Sequence, residues 1–265
     1  MKATVFLGGG RITSALCAGL RLAGDRRDIV VYDRHPEKMR ALRKESGVTI
    51  ARDLHSALAR AEMLIVAVRP GSVKEMLAEV ACCGAMPRGL CVSMAAGIPL
   101  AQLRRALPRS RWVRAMPSPV CRIGQGLTAL CFDRNVRPSA RSRVRGFFQL
   151  VGQVVEVRES QFDAFTITYS PSHGYHALSV LAATGRRAGL DRKTALAAAA
   201  HALCDGVLYW RGSGLNLAEL VHEAATPGGT AAATMAAMNK AGFARVVNQG
   251  VKAGIAQARR NAIDK

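Results

Sequence analysis

The sequence predicts an α/β fold in the N-terminal part of the chain and an all-α arrangement in the C-terminal part. From residue 1 to about residue 159, short apolar segments of strand length alternate with amphipathic segments of helix length. This alternation is typical of a parallel sheet with helices on both faces. From about residue 160 onward, Ala- and Leu-rich helical segments follow one another, most of them separated by Gly or Pro. A chain of 265 residues can hold two domains, and we predict them as residues 1–159 and 160–265.

The individual elements follow from the apolar runs and their spacing. In the first part the predicted strands are Ala3–Leu7, Ile29–Tyr32, Met63–Val68, Leu90–Ser93, Trp112–Ala115, Leu127–Phe132 and Val154–Val157. The predicted helices among them are Ser14–Ala23, Pro36–Ser46, Ser72–Cys83 and Pro138–Val151. In the second part the predicted helices are Ser172–Ala188, Arg192–Trp210, Ala218–Ala224, Ala231–Lys240 and Ala244–Arg260. Because these last helices carry small apolar residues on several faces, we expect them to pack against a second subunit in a homo-oligomer.

A glycine-rich turn follows the first predicted strand. Gly8-Gly9-Gly10 stands between that strand and a helical segment, which is the order of elements that binds a dinucleotide in a Rossmann-type domain, although Thr13 is larger than the usual third small residue. Glycines let the backbone close on a pyrophosphate, and the helix N-terminus offers it free N–H groups. Asp33 follows the second strand about 25 residues after the first glycine, where a ribose-binding acid is expected. The predicted dinucleotide contacts here are Gly8, Gly10, Arg11, Ile12, Asp33 and Arg34.

Two further loops follow predicted strands at the carboxyl edge of the sheet, which is the usual ligand side of such sheets. Their small residues would let a nicotinamide ribose lie against the backbone, while an ordinary strand-to-helix turn explains each loop equally well. The predicted cofactor contacts in these loops are Ala67, Val68, Arg69, Pro70, Ala95, Ala96 and Gly97.

The turn Thr226-Pro227-Gly228-Gly229-Thr230 precedes an Ala-rich helix in the second part. We expect Thr230 to cap that helix, and the glycines to leave its N–H groups accessible to an anion of carboxylate size. A plain capped helix start is the alternative. Two glycines exceed what capping requires, which favours a ligand site.

The chain is strongly basic, with 38 Lys and Arg residues against 18 Asp and Glu residues and a net charge of +20. Such a charge attracts polyanions, including nucleic acid. The basic residues are scattered along the whole chain, however, and aromatic residues make up only 5% of it. We therefore favour a solvated basic surface and expect no nucleic-acid partner.

The seven cysteines lie mostly in apolar stretches and show no Cys-x-x-Cys spacing. This pattern is typical of reduced core thiols rather than of a disulfide or zinc framework, and we predict no metal site. The sequence has no uncharged apolar run of about 18 residues or more, and its start does not resemble a secretory leader. We therefore expect a cytoplasmic protein without a membrane partner.

Six segments in order along nearly the whole chain carry a family resemblance. They are FLGGGRITSAL (6–16), AVRP (67–70), SMAAGI (93–98), RAMPSP (114–119), GQGLTAL (124–130) and ATPGGTAAA (225–233), of which the last is the most specific. Together they resemble the pyrroline-5-carboxylate reductase family. The resemblance implies a Rossmann domain, an interlocking helical dimerisation domain, and hydride transfer from NADPH or NADH to the C=N carbon of 1-pyrroline-5-carboxylate, giving L-proline.

The resemblance also implies an active site completed by two subunits, in which the PGGT turn grips the carboxylate of a small anionic cyclic imine. The substrate contacts that it suggests are Ser172, Thr226, Gly228, Gly229 and Thr230. Ser118, in the RAMPSP segment, is assigned to the cofactor.

Departures from the family pattern cluster at the substrate end. The family usually has Gly-Ser-Gly-Pro-Ala where this chain has Pro171-Ser172-His173-Gly174-Tyr175, so only the serine is kept. The usual Met-Pro-Asn-Thr becomes Met116-Pro117-Ser118-Pro119, and a second threonine after the PGG turn becomes Ala231. His173 places a titratable group beside the expected imine ring. It is our candidate catalytic proton donor, with Tyr175 and His176 as alternatives and water as a further source.

The sequence leaves the cofactor and the exact reaction open. Asp33 favours NADH, because a carboxylate accepts hydrogen bonds from ribose hydroxyls and repels a 2′-phosphate, whereas Arg34, His35 and Lys38 favour NADPH. We predict NADPH or NADH. The alternatives to proline formation are a paralogue that reduces a different cyclic imine and a catalytically silent dinucleotide-binding protein.

Overall fold

The computed structural model describes residues 2–83 and 89–262. The chain separates into two compact units, one built from the residues up to Tyr169 together with the segment from Ala253 onward, and the other from Ser170–Lys252. The helix that begins at residue 159 and the last turns of the C-terminal helix thus belong to the first unit. The predicted domain boundary between residues 159 and 160 stays a prediction.

The first unit is built around an eight-stranded sheet. Its strands are β1 (Ala3–Leu7), β2 (Ile29–Tyr32), β3 (Thr49–Ile50), β4 (Ala61–Val66), β5 (Leu90–Ser93), β6 (Arg111–Pro117), β7 (Gly126–Phe132) and β8 (Gly152–Glu156). They lie in the order β3-β2-β1-β4-β5-β6-β7-β8, and neighbouring strands are parallel except for β6 and β7. This reversal has a local cause. The chain between β6 and β7 forms only a short 3-10 helix, Pro119–Ile123, whereas a parallel crossover needs roughly a dozen residues or more.

Helices flank this sheet, and the predicted α/β class is confirmed. They are α1 (Arg11–Leu22), α2 (Pro36–Ser46), α3 (Leu54–Ala59), α4 (Val73–Cys82), α5 (Leu100–Ala106), α6 (Pro138–Gln149) and α7 (Glu159–Thr168). Four of these strands and α-helices were not predicted from the sequence: β3, α3, α5 and α7. β3 has 2 residues, α3 has 6 and α5 has 7, which is too short to establish a periodic pattern, and α7 shows little division into apolar and polar faces.

The central strands divide their side chains between two hydrophobic clusters, because successive residues of a strand point to opposite faces of a sheet. On β1, Val5 and Leu7 belong to one cluster and Phe6 to the other. On β4, Leu64 joins the first cluster and Ile65 the second. All five side chains are fully buried. This packing fixes the positions at which β1, β2 and β4 end, and the candidate site lies at those ends.

The second unit is helical, as predicted. It consists of α8 (Ser172–Arg187), α9 (Arg192–Ser213), α10 (Leu217–Ala224), α11 (Thr230–Lys240) and the first part of α12 (Phe243–Ala262). None of the described residues of α8, α10 and α11 is buried, and α9 buries only Ala195 and Ala199. Large apolar side chains stay exposed, among them Leu208, Tyr209 and Val221. A single chain therefore leaves these helices without a filled core of their own.

Three further observations concern the described part of the chain. No helix there has the combination of length and apolar character that crossing a bilayer requires. No cluster of three or more described His, Cys, Asp or Glu side chains could hold a metal ion, and the absence of a metal site stays a prediction. All seven cysteines are unpaired, and the buried ones are Cys17, Cys91, Cys121 and Cys131.

Candidate active site

The glycine turn lies where β1 ends and α1 begins. Gly8 has φ +112°, and a Cβ at this position would lie 2.8 Å from the carbonyl oxygen of Ala67, so no side chain fits there. Gly10 is the N-cap of α1, with an extended backbone of φ −77° and ψ −173°. α1 therefore begins at Arg11, earlier than the predicted Ser14, because the turn passes directly into the helix.

The N-terminus of α1 is open to an anion. No side chain caps it, and its first turn contains no acidic residue, so its backbone N–H groups and the positive end of the helix dipole are available. A Cβ built on Gly10 meets no atom within 4 Å, which reveals free space beside those groups. Arg11 is exposed and Ile12 is half-buried next to this space. The arrangement fits the pyrophosphate of a dinucleotide.

Thr13 forms a side-chain hydrogen bond to the glycine turn. Its side chain is fully buried, and its hydroxyl donates a hydrogen bond to the carbonyl oxygen of Gly8 at 2.7 Å. This bond satisfies the hydroxyl inside the protein and links the first turn of α1 to the glycine turn. The larger residue at the third position of the motif is thus accommodated.

Asp33 follows β2, and its carboxylate reaches across to the glycine turn. Its Oδ2 accepts the backbone N–H of Gly9 at 2.7 Å, while its Oδ1 accepts the backbone N–H of His35 at 2.9 Å and lies 2.8 Å from Nδ1 of the same residue. Burial opposes ionisation of the carboxyl, but the hydrogen bonds outweigh it and hold the pKa of Asp33 below its usual range. A charged carboxylate is therefore fixed at the end of β2, where a ribose-binding acid belongs.

Arg34 pairs with two acidic residues of α4. One guanidinium nitrogen lies 3.1 Å from a carboxylate oxygen of Glu75, and another contacts the carboxylate of Glu79. Glu75 and Glu79 are one helical turn apart and face the same cation. The sequence predicts Arg34 as a cofactor contact but does not reveal that Glu75 and Glu79 pair with it.

The two other predicted cofactor loops differ in accessibility. Residues 67–70 are half-buried, apart from the exposed Arg69. In the second loop Ala95 and Gly97 are buried and Ala96 is half-buried, and a Cβ on Gly97 would lie 2.0 Å from the carbonyl oxygen of Ala258. The end of α12 therefore covers Gly97, so close packing alone demands a glycine there. The cofactor contacts of both loops stay predictions.

Ser118 caps the short 3-10 helix that follows β6. Its hydroxyl oxygen accepts the backbone N–H of Val120 at 3.2 Å and caps the 3-10 helix after β6, in which Pro119 is the first residue. The Ser-Pro pair suits such a cap, because proline lacks only an N–H that would be unpaired there. With 5% of Ser118 exposed, its predicted contact with the cofactor stays a prediction.

In the second unit, the predicted anion turn is a tight β-turn before α11. The N–H of Gly229 donates to the carbonyl oxygen of Thr226 at 2.9 Å, and Gly228 has φ +77°, a pattern that matches a type II turn with Pro227 and Gly228 at its centre. The predicted cap was wrong: Gly229, not Thr230, is the N-cap, because its extended backbone ends the turn and Thr230 already belongs to the helix.

The backbone geometry of the turn explains why both positions are glycine, so the presence of two glycines does not by itself indicate a ligand site. Gly228 supplies the positive φ, and a Cβ on Gly229 would lie 2.9 Å from the carbonyl oxygen of Thr226. What favours an anion here is that no side chain caps α11 and no acidic residue lies in its first turn.

Ser172 and His173 open α8. The hydroxyl of Ser172 lies 2.7 Å from that of Ser170, and the N–H of His173 donates to the carbonyl oxygen of Ser170 at 3.2 Å. Both residues are exposed in the single chain, as are Tyr175 and His176. The roles of Ser172 in substrate binding and of His173 in proton donation stay predictions.

Arg114 is a buried cation that pairs with two partly exposed acids, and the sequence did not reveal this cluster. Its side chain is 2% exposed and lies 3.1 Å from Glu159 and 2.8 Å from Asp163, with its guanidinium 4.2 Å from the ring centroid of Phe162. Glu159 also accepts the backbone N–H of Leu100 at 2.9 Å. The cluster ties β6 to α5 and α7. An arginine flanked by apolar residues within a strand was the available signal, since a buried charge needs a partner.

Comparison with protein families assigns a model to each part of the chain. Residues 4–97 match the family described as NADP oxidoreductase, coenzyme F420-dependent. Residues 159–261 match the family described as pyrroline-5-carboxylate reductase dimerisation. The second match supports the predicted homo-oligomer and accounts for the apolar side chains that α9 and α10 leave exposed.

Individual proteins agree with these matches. The chain is 30% identical over 253 residues to the pyrroline-5-carboxylate reductase of Synechocystis sp., covering 93% of each protein. It is 31% identical to that of Mycobacterium tuberculosis, covering 96% of this chain and 94% of the relative. The structure also superposes on the crystal structure of Plasmodium falciparum pyrroline carboxylate reductase with NADP bound, with a TM-score of 0.88 at 20% identity over 99% of this chain and 98% of that one. Because the chain is 30% and 31% identical to the Synechocystis and Mycobacterium tuberculosis enzymes over nearly its whole length, it belongs to the pyrroline-5-carboxylate reductase family.

Proposed function

We propose that this chain reduces 1-pyrroline-5-carboxylate, a small anionic cyclic imine, to L-proline with NADPH or NADH. The observation that carries the proposal is the open N-terminus of α1 at Gly10 beside the charged carboxylate of Asp33, which together suit a dinucleotide. The substrate follows from the family, since the relatives at 30% and 31% identity are named for that reaction.

The residues of the chain bind and orient the reactants, and the nicotinamide supplies the hydride when it is bound. Backbone N–H groups at the start of α1 hold the pyrophosphate, and Asp33 accepts a hydrogen bond from a ribose hydroxyl. Backbone N–H groups at the start of α11 hold the substrate carboxylate, because no side chain occupies them. Fixing an imine carbon close to a hydride donor contributes much of the rate, since it removes the entropic cost of bringing two molecules together.

The imine nitrogen has to carry a proton, because an iminium accepts hydride better than a neutral imine. We assign this proton to His173, an exposed residue in the first turn of α8, because histidine is the most common general acid in enzymes. Water itself also protonates a free imine in solution. A His173→Gln variant that keeps its maximal rate, with an unchanged pH profile, would show that water suffices.

Reduction of a different cyclic imine is the second candidate function. It is favoured by Ala231, which lacks a hydroxyl in the first turn of α11, and by the bulk of His173 at the start of α8. A catalytically silent dinucleotide-binding protein is the third. Turnover of NADH and NADPH across a panel of cyclic imines separates the three, because only the silent protein consumes neither cofactor with any imine.

We also propose a cytoplasmic location and no nucleic-acid partner. The unpaired state of all seven cysteines suits a reducing compartment. The net charge of +20 attracts nucleic acid without sequence preference, and we expect any such binding to weaken steeply between low and physiological salt. Binding to a duplex that persists at physiological salt would contradict this part of the proposal.

A Gly10→Val variant tests the cofactor site directly. The backbone of Gly10 is extended and a Cβ there meets no atom within 4 Å, so valine fits the folded protein. It would, however, occupy the space beside the helix N-terminus. We expect an unchanged circular dichroism spectrum and loss of NADH and NADPH binding in calorimetry. Unchanged affinity for both cofactors in a folded variant would overturn the assignment of this turn.

A further inference from the structure

We propose that this chain selects NADH over NADPH, and that Glu75 and Glu79 act with Asp33 as the residues that determine the selection. The inference rests on the dinucleotide site proposed above and goes beyond it, because the sequence left the choice between the two cofactors open. Three features of the described residues carry it: the acceptors of Asp33, the contacts of Arg34, and the balance of charge around them.

Asp33 has one acceptor position left that suits a ribose hydroxyl. A carboxylate oxygen accepts about two hydrogen bonds. Oδ1 is occupied by the backbone N–H and the ring of His35, whereas Oδ2 receives only the N–H of Gly9 among the contacts of the described residues. The remaining position on Oδ2 lies beside the glycine turn and can accept the 2′-hydroxyl of NADH. The 2′-phosphate of NADPH offers no such donor and brings about two negative charges to the same place.

Arg34, the residue best placed to bind a 2′-phosphate, is already bound to two carboxylates. Its contacts with Glu75 and Glu79 come from α4, which follows β4. Each ion pair is partly exposed and worth little by itself. If Arg34 left them for a phosphate, however, Glu75 and Glu79 would remain nearby as unpaired negative charges. The guanidinium of Arg34 therefore stabilises bound NADPH much less than an unpaired arginine would.

The remaining basic groups do not reverse this balance. The ring of His35 is in contact with Asp33 at 2.8 Å, and Lys38 is exposed on the first turns of α2. Arg34 is thus shared between Glu75 and Glu79, and Lys38 is the cation that interacts with Asp33 over a longer range. A ligand with free hydroxyls is accepted by such a surface, and a ligand with an added phosphate is repelled.

Calorimetric titration of the purified full-length protein with NADH and with NADPH tests the proposal without any substrate. We expect NADPH to bind at least about tenfold more weakly, which corresponds to roughly 1.4 kcal/mol. The double variant Glu75→Gln, Glu79→Gln keeps the size of both side chains and releases Arg34. It should strengthen NADPH binding about three- to tenfold, because the released guanidinium of Arg34 can then pair with the 2′-phosphate, and it should leave NADH binding unchanged.

Two further variants complete the experiment. Adding Arg34→Ala to the double variant should abolish the gain for NADPH, because the released guanidinium is its cause. Glu62→Gln serves as the matched control. Glu62 also pairs with an arginine, Arg143, but it lies at the start of β4, at the other edge of the sheet, and the change should move neither affinity.

Equal affinity for the two cofactors in the unmodified protein would overturn the inference, as would a double variant with unchanged affinity for NADPH. Failure of the proposed function looks different. If NADH binds tightly and selectively but no turnover of 1-pyrroline-5-carboxylate is seen with either cofactor, the selectivity stands and the substrate assignment falls.

Discussion

The hydroxyl of Thr13 donates a hydrogen bond of 2.7 Å to the carbonyl oxygen of Gly8, and both residues are buried. A small residue usually stands at this third position of the dinucleotide motif so that helix and strand can pack closely. Here a larger side chain occupies the same place and forms a bond to the turn itself. The contact holds the first turn of α1 against Gly8 and so helps to fix the direction of the helix N-terminus.

A Thr13→Val variant should lose stability although its shape barely changes. Valine cannot donate a hydrogen bond, so the buried carbonyl oxygen of Gly8 loses this partner at a cost of about 1 to 3 kcal/mol. Urea unfolding measures the loss. Thr13→Ser, which keeps the hydroxyl and removes a methyl group, should bind NADH like the unmodified protein. A Thr13→Val protein of unchanged stability would show that the hydrogen bond has no net value.

Apolar runs predicted the sheet well, because strands buried on both faces consist almost wholly of apolar residues. β5, for example, lies at its predicted residues Leu90–Ser93. The sequence did not reveal that β7 runs against β6, because orientation depends on the length of the connection and on where the 3-10 helix Pro119–Ile123 turns the chain. Short elements such as β3 were also missed, since 2 residues carry no period.

Spacing along the chain located the site only in part. Asp33 was predicted from its distance to the first glycine, and its contact with Gly9 agrees with that position. The partners of Arg34 were not predicted, because Glu75 and Glu79 follow it by 41 and 45 positions and meet it only once α4 packs on the sheet. Ion pairs between residues so far apart in the sequence depend on the tertiary structure, and no local sequence pattern predicts them.

Gly97 and Gly24 form a matched pair for testing the contact between α12 and the loop after β5. Both have φ +77°, but a Cβ on Gly97 would lie 2.0 Å from the carbonyl oxygen of Ala258, while one on Gly24 meets nothing within 4 Å. Gly24→Ala should cost about 1 to 2 kcal/mol for the left-handed backbone alone.

Gly97→Ala has to bear the same backbone cost and also displace the end of α12. We expect its loss of stability to exceed that of Gly24→Ala by at least about 1 to 3 kcal/mol, the typical cost of overpacking a buried contact. Hydrogen exchange should locate the change in residues 253–262. Equal losses in the two variants would mean that α12 does not hold this position in solution.

Neutralising the two acids that pair with Arg114 should destabilise the protein more than replacing Arg114 itself. Arg114 is 2% exposed, whereas the side chains of Glu159 and Asp163 are 38% and 27% exposed. The double variant Glu159→Gln, Asp163→Asn leaves a buried guanidinium without a counter-charge and should cost roughly 3 to 5 kcal/mol in urea unfolding. Arg114→Met leaves carboxylates that water can reach, so it should cost less. The opposite order would show that Arg114 is hydrated in solution.

The buried thiols should be chemically inert at neutral pH. Burial is the main cause that raises the pKa to about 12 for Cys17, Cys91, Cys121 and Cys131. Because only the thiolate reacts, an alkylating reagent should leave these four unmodified from pH 7 to pH 9, a range well below that value. Cys82 is exposed and serves as the positive control. Mass spectrometry of the native protein should find the four labelled only after unfolding.

The departures at the substrate end predict weak turnover of 1-pyrroline-5-carboxylate. Ala231 lies in the first turn of α11 and offers no hydroxyl, so the substrate carboxylate has to be held mainly by backbone N–H groups. A missing hydrogen bond to a charged group costs about 1.5 to 3 kcal/mol, or roughly ten- to a hundredfold in kcat/KM.

Restoring the family residues should reverse that loss if the site has merely drifted. Thr at position 231 fits without strain, because Ala231 is exposed and helical, and Gly at position 173 removes an exposed side chain at the start of α8. We expect Ala231→Thr with His173→Gly to raise kcat/KM for 1-pyrroline-5-carboxylate, while Ala233→Thr, an exposed position farther along the same helix, leaves it unchanged. If the double variant gains nothing and a different imine is turned over efficiently by the unmodified protein, the departures mark a changed substrate. Activity in the unmodified protein equal to that of its relatives would instead show that backbone N–H groups alone hold the carboxylate firmly enough.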